Sequence, residues 1–120
     1  MSIFVGKSGV RLRYDDLTAA EVDTATTSAN AALLTTTIGA GRQLYVSNDL
    51  NVDVVMLVVN PEADPSVVAN RLFLLEVPAS RVINFADLAP GLSFDPGTQI
   101  FIYKVSGTAN SGKFRSVYWG

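Results

Sequence analysis

Residues 42–59, RQLYVSNDLNVDVVMLVV, decide the fold class of this chain. Leu44 and Val46 alternate with Tyr45 and Ser47, the two-residue period of a strand with one buried face. Asn48, Asp49, Leu50 and Asn51 follow, a cluster suited to chain reversal, and they predict a hairpin turn. Beyond it Val52, Val54, Met56 and Val58 form one apolar row, while Val55, Leu57 and Val59 form the other. A strand that is apolar on both faces needs two covers, so this one belongs deep in a sandwich or under a neighbouring subunit.

The rest of the chain repeats the β pattern. Val10–Tyr14 alternates well enough for a short strand with Arg11 and Arg13 outward, placed as an edge. Thr18 and Glu21 have the Thr-x-x-Glu spacing of a capping box, enough to start one or two helical turns before a run of threonines. Ala32–Ile38 reads as a strand, and Gly39-Ala40-Gly41 turns the chain into the next one. Asn60–Pro65 is a loop, because two prolines break any ladder. Ser66–Ala69 makes a turn. Asn70–Val77 is a strand with Phe73, Leu75 and Val77 on one side and Leu72 and Leu74 on the other. Ser80–Phe85 gives a short strand, and DLAPGLSFDPG (87–97) reads as loop throughout. Thr98–Val105 is the second strongly apolar strand, and the small polar loop 106–112 predicts a hairpin with Lys113–Trp119.

Seven to eight strands with frequent turns, and no sustained 3.6-residue apolar stripe, predict an all-β chain. The expected architecture is a single antiparallel β-sandwich or jelly-roll-like domain over residues 1–120, with residues 1–9 as a flexible N-terminal arm. At 120 residues such a domain buries roughly two-thirds of its unfolded surface without a metal or disulfide.

Composition narrows the function. Charged residues make up 17% of the chain, below the roughly one quarter of an average soluble domain, so part of the surface is expected to lie under a partner. The net charge is −2 and the nine basic residues are scattered, which argues against nucleic acid as a partner. Cysteine and histidine are both absent, excluding a disulfide framework, thiol catalysis, the usual zinc sites and the Ser-His-Asp arrangement. The longest apolar run is Val54–Val59, too short for a membrane span, and no secretion signal opens the chain. The expectation is a protein made and folded in a cytoplasm.

Candidate chemistry reduces to structural roles. Gly6-Lys7-Ser8 ends like a phosphate-binding loop, but the leading glycine would fall on Met1 and no strand precedes it. Asp49, Asn51 and Asp53 imitate the first half of a calcium loop, whose glycine and closing glutamate are replaced by Val54 and Asn60. Asp15, Asp16, Glu21 and Asp23 form an acidic patch without an aromatic platform for a sugar, so a solvated loop or helix start is the reading. Tyr45, Tyr103, Tyr118 and Trp119 have the residue types that stack on carbohydrate, yet their apolar strand context favours a core or a subunit contact. No catalytic residue, cofactor site or metal site is assigned. Val55, Leu57, Val59, Tyr118 and Trp119 are the candidate contacts with other subunits or partners.

The order of features, strand LYVSN (44–48), Val52-Asp53-Val54-Val55, a Pro-bearing loop, LFLLEVPASRVINFADLAPGLSF (72–94) and PGTQIFIYKVSGTANSGKFRSVYWG (96–120), resembles tailed-bacteriophage virion proteins of the head-decoration or cement type. The resemblance covers about Leu33–Gly120 and carries no catalytic signature. It implies a β-sandwich subunit on the capsid surface, a homotrimer at three-fold positions that binds the major capsid protein and reinforces the shell, with no nucleic acid, membrane or small-molecule substrate as partner. A tail or connector component is the alternative from the same setting, and a carbohydrate-binding module the alternative from another class.

Overall fold

The computed structural model describes residues 3–7, 10–37, 43–88 and 94–119, with the backbone alone described at 3–7, 10–12, 86, 88 and 119. The described chain runs through β1 (Ile3–Lys7), β2 (Val10–Thr18), helix α1 (Ala19–Asp23), β3 (Ala32–Thr36), β4 (Gln43–Asn48) and β5 (Val54–Val59). A 3₁₀ turn at Val68–Asn70 leads into β6 (Arg71–Val77), β7 (Arg81–Asn84), helix α2 (Phe85–Leu88), β8 (Gln99–Lys104) and β9 (Lys113–Trp119).

One sheet has the order β1-β2-β9-β4-β7 and the other β3-β8-β5-β6, with every pairing antiparallel. The pairs nest: β5 with β6, β4 with β7, β3 with β8 and β2 with β9. The chain is thus one long hairpin folded over on itself, and the folding brings β9 beside β4 and β8 beside β5. This is a jelly roll with β1 added at one edge, the all-β sandwich that the strand pattern predicts.

The core lies between the two sheets. Val54, Met56 and Val58 of β5 and Ile100 and Ile102 of β8 meet Leu44 and Val46 of β4 and Phe114 and Tyr118 of β9. β5 is buried at all six positions and sits inside its sheet between β8 and β6, as its two-sided apolar pattern requires. Among the described residues one charged group enters the interior. Asp15, 5% exposed, accepts hydrogen bonds from the Thr35 hydroxyl and from Arg13 Nε at 2.7 Å, while Arg13 Nη1 donates to the Thr36 carbonyl at 2.6 Å. The carboxylate on β2 is therefore paired as it leaves water, and the pairing clasps β2 to β3 across the sandwich.

Both expected hairpins are corrected. β4 and β5 lie in different sheets, as do β8 and β9, so residues 49–53 and 105–112 are crossings between sheets. The reason is visible at Asn48, which is fully buried. Its Nδ2 donates to the carbonyls of Val52 at 3.1 Å and Val77 at 3.0 Å, and its Oδ1 accepts from Leu50 N–H at 3.0 Å. A side chain that satisfies three backbone groups inside the crossing replaces the tight turn that a hairpin would need.

The second crossing is tied to the first. Asn51 Nδ2 donates to the Thr108 carbonyl at 2.9 Å, and its Oδ1 accepts from the N–H groups of Asn110 at 3.0 Å and Ser111 at 3.2 Å. Gly112 closes the contact with φ +83°, and a Cβ there would come within 1.9 Å of the Asp49 carbonyl oxygen, so the approach of the two backbones admits glycine alone.

Three smaller differences complete the comparison. Ile3–Lys7, inside the stretch expected as a flexible arm, forms β1 and pairs along β2, which puts β2 inside the sheet and not at its edge. Phe85–Leu88 is a helical turn where a strand end and loop are expected, because Phe85 turns inward onto Phe73 with ring centroids 5.6 Å apart. The capping box is present as read: Glu21 N–H donates to Thr18 Oγ1 at 3.3 Å, and Thr18 N–H donates to Glu21 Oε1 at 3.0 Å.

Asn48→Ala is expected to destabilise the fold by about 3 kcal/mol, because it leaves buried carbonyls and an N–H without partners. Urea denaturation checks this as a lower midpoint at unchanged slope.

Candidate functional site

The outer faces of the two sheets differ in chemistry. Antiparallel partners directly opposite each other share a face, so the strand register gives each face row by row. Across the four-stranded sheet, Leu33 of β3 lies opposite Phe101 of β8, Phe101 opposite Leu57 of β5, and Leu57 opposite Leu74 of β6. One row is therefore apolar from edge to edge. The next row holds Tyr103, Val55 and Glu76, and alternation adds Val59 and Leu72 to the same face. Val55, Leu57 and Val59 form an apolar cluster of their own, separate from the core, with Phe101 and Tyr103 packed against it. The ends of the long row remain open, Leu33 at 46% and Leu74 at 49% exposed against 0% for Leu57, and Leu72 next to Leu74 on β6 is 52% exposed.

The outer face of the five-stranded sheet is mixed: Tyr14, Val117 and Tyr45 form one row across it, and the rows beside that one hold charged groups together with Val82. Asp16 lies opposite Arg115 and Thr18 opposite Lys113. Lys113 Nζ stands 3.8 Å from Asp16, and Arg115 Nη1 is 2.9 Å from Asp49. Tyr14 donates to the Asp16 carboxylate at 3.3 Å, and burial, followed by that carboxylate, pushes its hydroxyl above the ordinary tyrosine value. Exposed pairs of this kind contribute little to stability, but they keep a face wet.

Of the expected contact residues, Val55, Leu57 and Val59 are brought together on the apolar face, where their neighbours already shield them. Tyr118 is corrected to a core residue: it is 2% exposed and packs inward on Phe94, with centroids 6.2 Å apart. Trp119 ends β9 opposite Leu12 and Gln43, and its side chain lies outside the described residues. The residues that sequence reasoning left out of the contact set are Leu33, Leu72 and Leu74. Leu72 and Leu74 carried a signal, since they form the second apolar row of a strand whose other row fills the core.

The acidic patch disperses. Asp15 turns inward, Asp16 faces out towards Lys113, Glu21 caps α1, and Asp23 accepts from Lys104 Nζ at 2.7 Å and Ala109 N–H at 2.9 Å. The oxygens of the calcium-like stretch diverge as well: Asp49 turns to Ser47 and Arg115, Asn51 to residues 108–111, and Asp53 to Ala79 N–H at 2.8 Å. Gly6 and Lys7 belong to the β1 ladder, opposite Arg11 and Val10, while Ser8 lies outside the described residues. Among the described residues no group of three His, Cys, Asp or Glu side chains is placed to hold a metal ion. No helix among them is long and apolar enough to cross a membrane.

No family model matches the chain, and no curated protein matches it. A solved structure described as "Crystal Structure of CoII HppE in Complex with Substrate" is similar at a TM-score of 0.46 and 8% identity, covering 98% of this chain and 50% of that one. This chain thus spans about half the length of that protein. A likeness at this level carries no argument about activity.

Two outcomes test the geometry. Leu57→Ala is expected to lower stability by about 2–5 kcal/mol, as for a leucine removed from a packed interior, while Leu74→Ala costs less than about 1 kcal/mol; denaturation midpoints separate them. The Lys104 ammonium, followed by the Ala109 N–H, holds the Asp23 carboxyl below its ordinary value of 3.8. Its stabilisation is therefore fully present above the unfolded-state value and is lost as pH falls through the folded-state value. The stability difference between wild type and Asp23→Asn is expected to stay constant from neutral pH down to about 4 and to shrink below it, as followed by denaturation at stepped pH.

Proposed function

We propose that this chain is a non-enzymatic structural protein of a tailed-phage particle, a decoration or cement protein on the capsid surface. It lays the outer face of its four-stranded sheet on the assembled head and bridges major capsid subunits. The observation that carries this reading is the row Leu33–Phe101–Leu57–Leu74, apolar from one sheet edge to the other and open at both ends. A face of this kind is disfavoured in water and favoured under a protein partner. A chain that acts by covering and bridging needs no histidine, cysteine or poised carboxylate pair, in keeping with the composition. The resemblance to head-decoration proteins supports the same job and implies a virion location and a homotrimer.

The test uses heads of the cognate phage assembled without this chain. Purified protein is expected to co-sediment with them, and Leu33→Asp to weaken that binding by about tenfold or more while leaving the circular dichroism spectrum unchanged, because it places a charge on an interface made of apolar groups. Failure of the wild type to pellet with heads, together with binding to isolated tails, would move the chain to the tail; equal binding by the variant would clear the face of any role.

A further inference from the structure

We infer that the outer face of the five-stranded sheet is a binding site for an extended β-1,4-linked glycan, which lies across the strands with sugar rings stacked on Tyr14 and Tyr45. The two tyrosines share one register row, Tyr14 opposite Val117 and Val117 opposite Tyr45, so they stand two strands apart on one side of the sheet. Two strand spacings set them about 10 Å apart. That is close to the length of one disaccharide in an extended β-1,4-linked chain, in which alternate rings present the same flat face to a surface. Val117 between them is shorter than either ring and leaves the line across the face clear.

Both rings suit stacking. Among the described residues Tyr45 is the aromatic side chain left most open to solvent, at 37% exposed. Tyr14 is half-buried, and its hydroxyl donates to the Asp16 carboxylate two residues further along β2. That bond lays the side chain along its own strand, so little freedom remains to be lost when a ligand arrives.

Hydrogen-bonding groups stand where the hydroxyls of a stacked sugar fall. Asn84 continues the tyrosine row on β7, and the row beside it runs through Asp16, Arg115 and Ser47. Amide, carboxylate, guanidinium and hydroxyl together offer donors and acceptors. A pyranose ring has C–H groups on its faces and hydroxyls at its rim, and it matches flat aromatic surface bordered by polar groups. A protein partner is the poorer fit. Apolar cover over this face strips Asp16 and Arg115 of water and returns no hydrogen bonds, whereas a glycan returns them. The site goes beyond the docking role proposed above, because it uses the opposite outer face and is measured on the purified chain alone.

Cellohexaose and chitohexaose are the probes, each titrated calorimetrically into the purified chain. The wild type is expected to bind at least one of them, and about tenfold more tightly than the corresponding disaccharide, because only the longer chain reaches both rings. Binding of cellohexaose alone assigns unsubstituted rings to the site, and of chitohexaose alone N-acetylated ones. Tyr45→Ala is expected to weaken the hexamer by about tenfold and to remove the dependence on length, while Tyr45→Phe keeps both. Leu33→Asp, on the other sheet, is expected to bind as the wild type does. Failure of the wild type to bind either hexamer, hexamer binding no tighter than disaccharide binding, or equal binding by Tyr45→Ala would each overturn the site. A wild-type oligomer that Tyr45→Ala dissociates would also overturn it, giving the face to a second copy. None of these results bears on whether the chain co-sediments with heads, so the two readings fail separately.

Discussion

The fully buried amide of Asn48 is the interaction on which the architecture turns. It stands where the chain leaves one sheet for the other, and its three hydrogen bonds satisfy the carbonyls of Val52 and Val77 and the N–H of Leu50 at the crossing. Polar backbone buried without partners costs several times the net gain of an ordinary hydrogen bond, so a crossing this deep needs such a side chain. Asn51 then ties this crossing to the one between β8 and β9. β4, β5, β8 and β9 all lie inside their sheets, and the two bound crossings hold the sheets face to face around the core.

With the sheets so held, the two outer faces take different characters. One presents Asp16, Lys113 and Arg115, carrying charge that water screens and solvates. The other carries one row that is apolar from edge to edge, its centre shielded by Phe101 and Tyr103 and its ends left open. The proposed role rests on that row: a slab with an apolar strip across one side can cover and bridge other proteins without performing a reaction. The buried Asp15 does not disturb the picture, since Arg13 and Thr35 complete its hydrogen bonds in the interior.

Much of this was legible in the residues. The two-residue period located eight of the strands to within a few positions, and the apolar content of both faces of 54–59 correctly placed β5 inside a sheet and under cover. The capping box at Thr18 and Glu21 is local chemistry and appeared as read. The errors share a cause. Asn48–Asn51 and 106–112 have the residue types of hairpin turns, and amide side chains that bond to nearby backbone serve a tight turn and a sheet crossing equally well. Tyr118 was misjudged because an aromatic residue near a strand end looks alike whether it faces a core or a partner. Leu33 was overlooked because its row exists only once β3 lies beside β8.

Period, composition and the absence of histidine and cysteine by themselves determined an all-β chain with a two-sided apolar strand and no ordinary catalytic triad or zinc site. Those properties are local, set by side-chain alternation and by which functional groups are present. Tertiary structure alone decided which strands pair, and with that which side chains share a face. Pairing is a contest among distant segments, won here by buried amides and close backbone contacts that no short window of sequence contains.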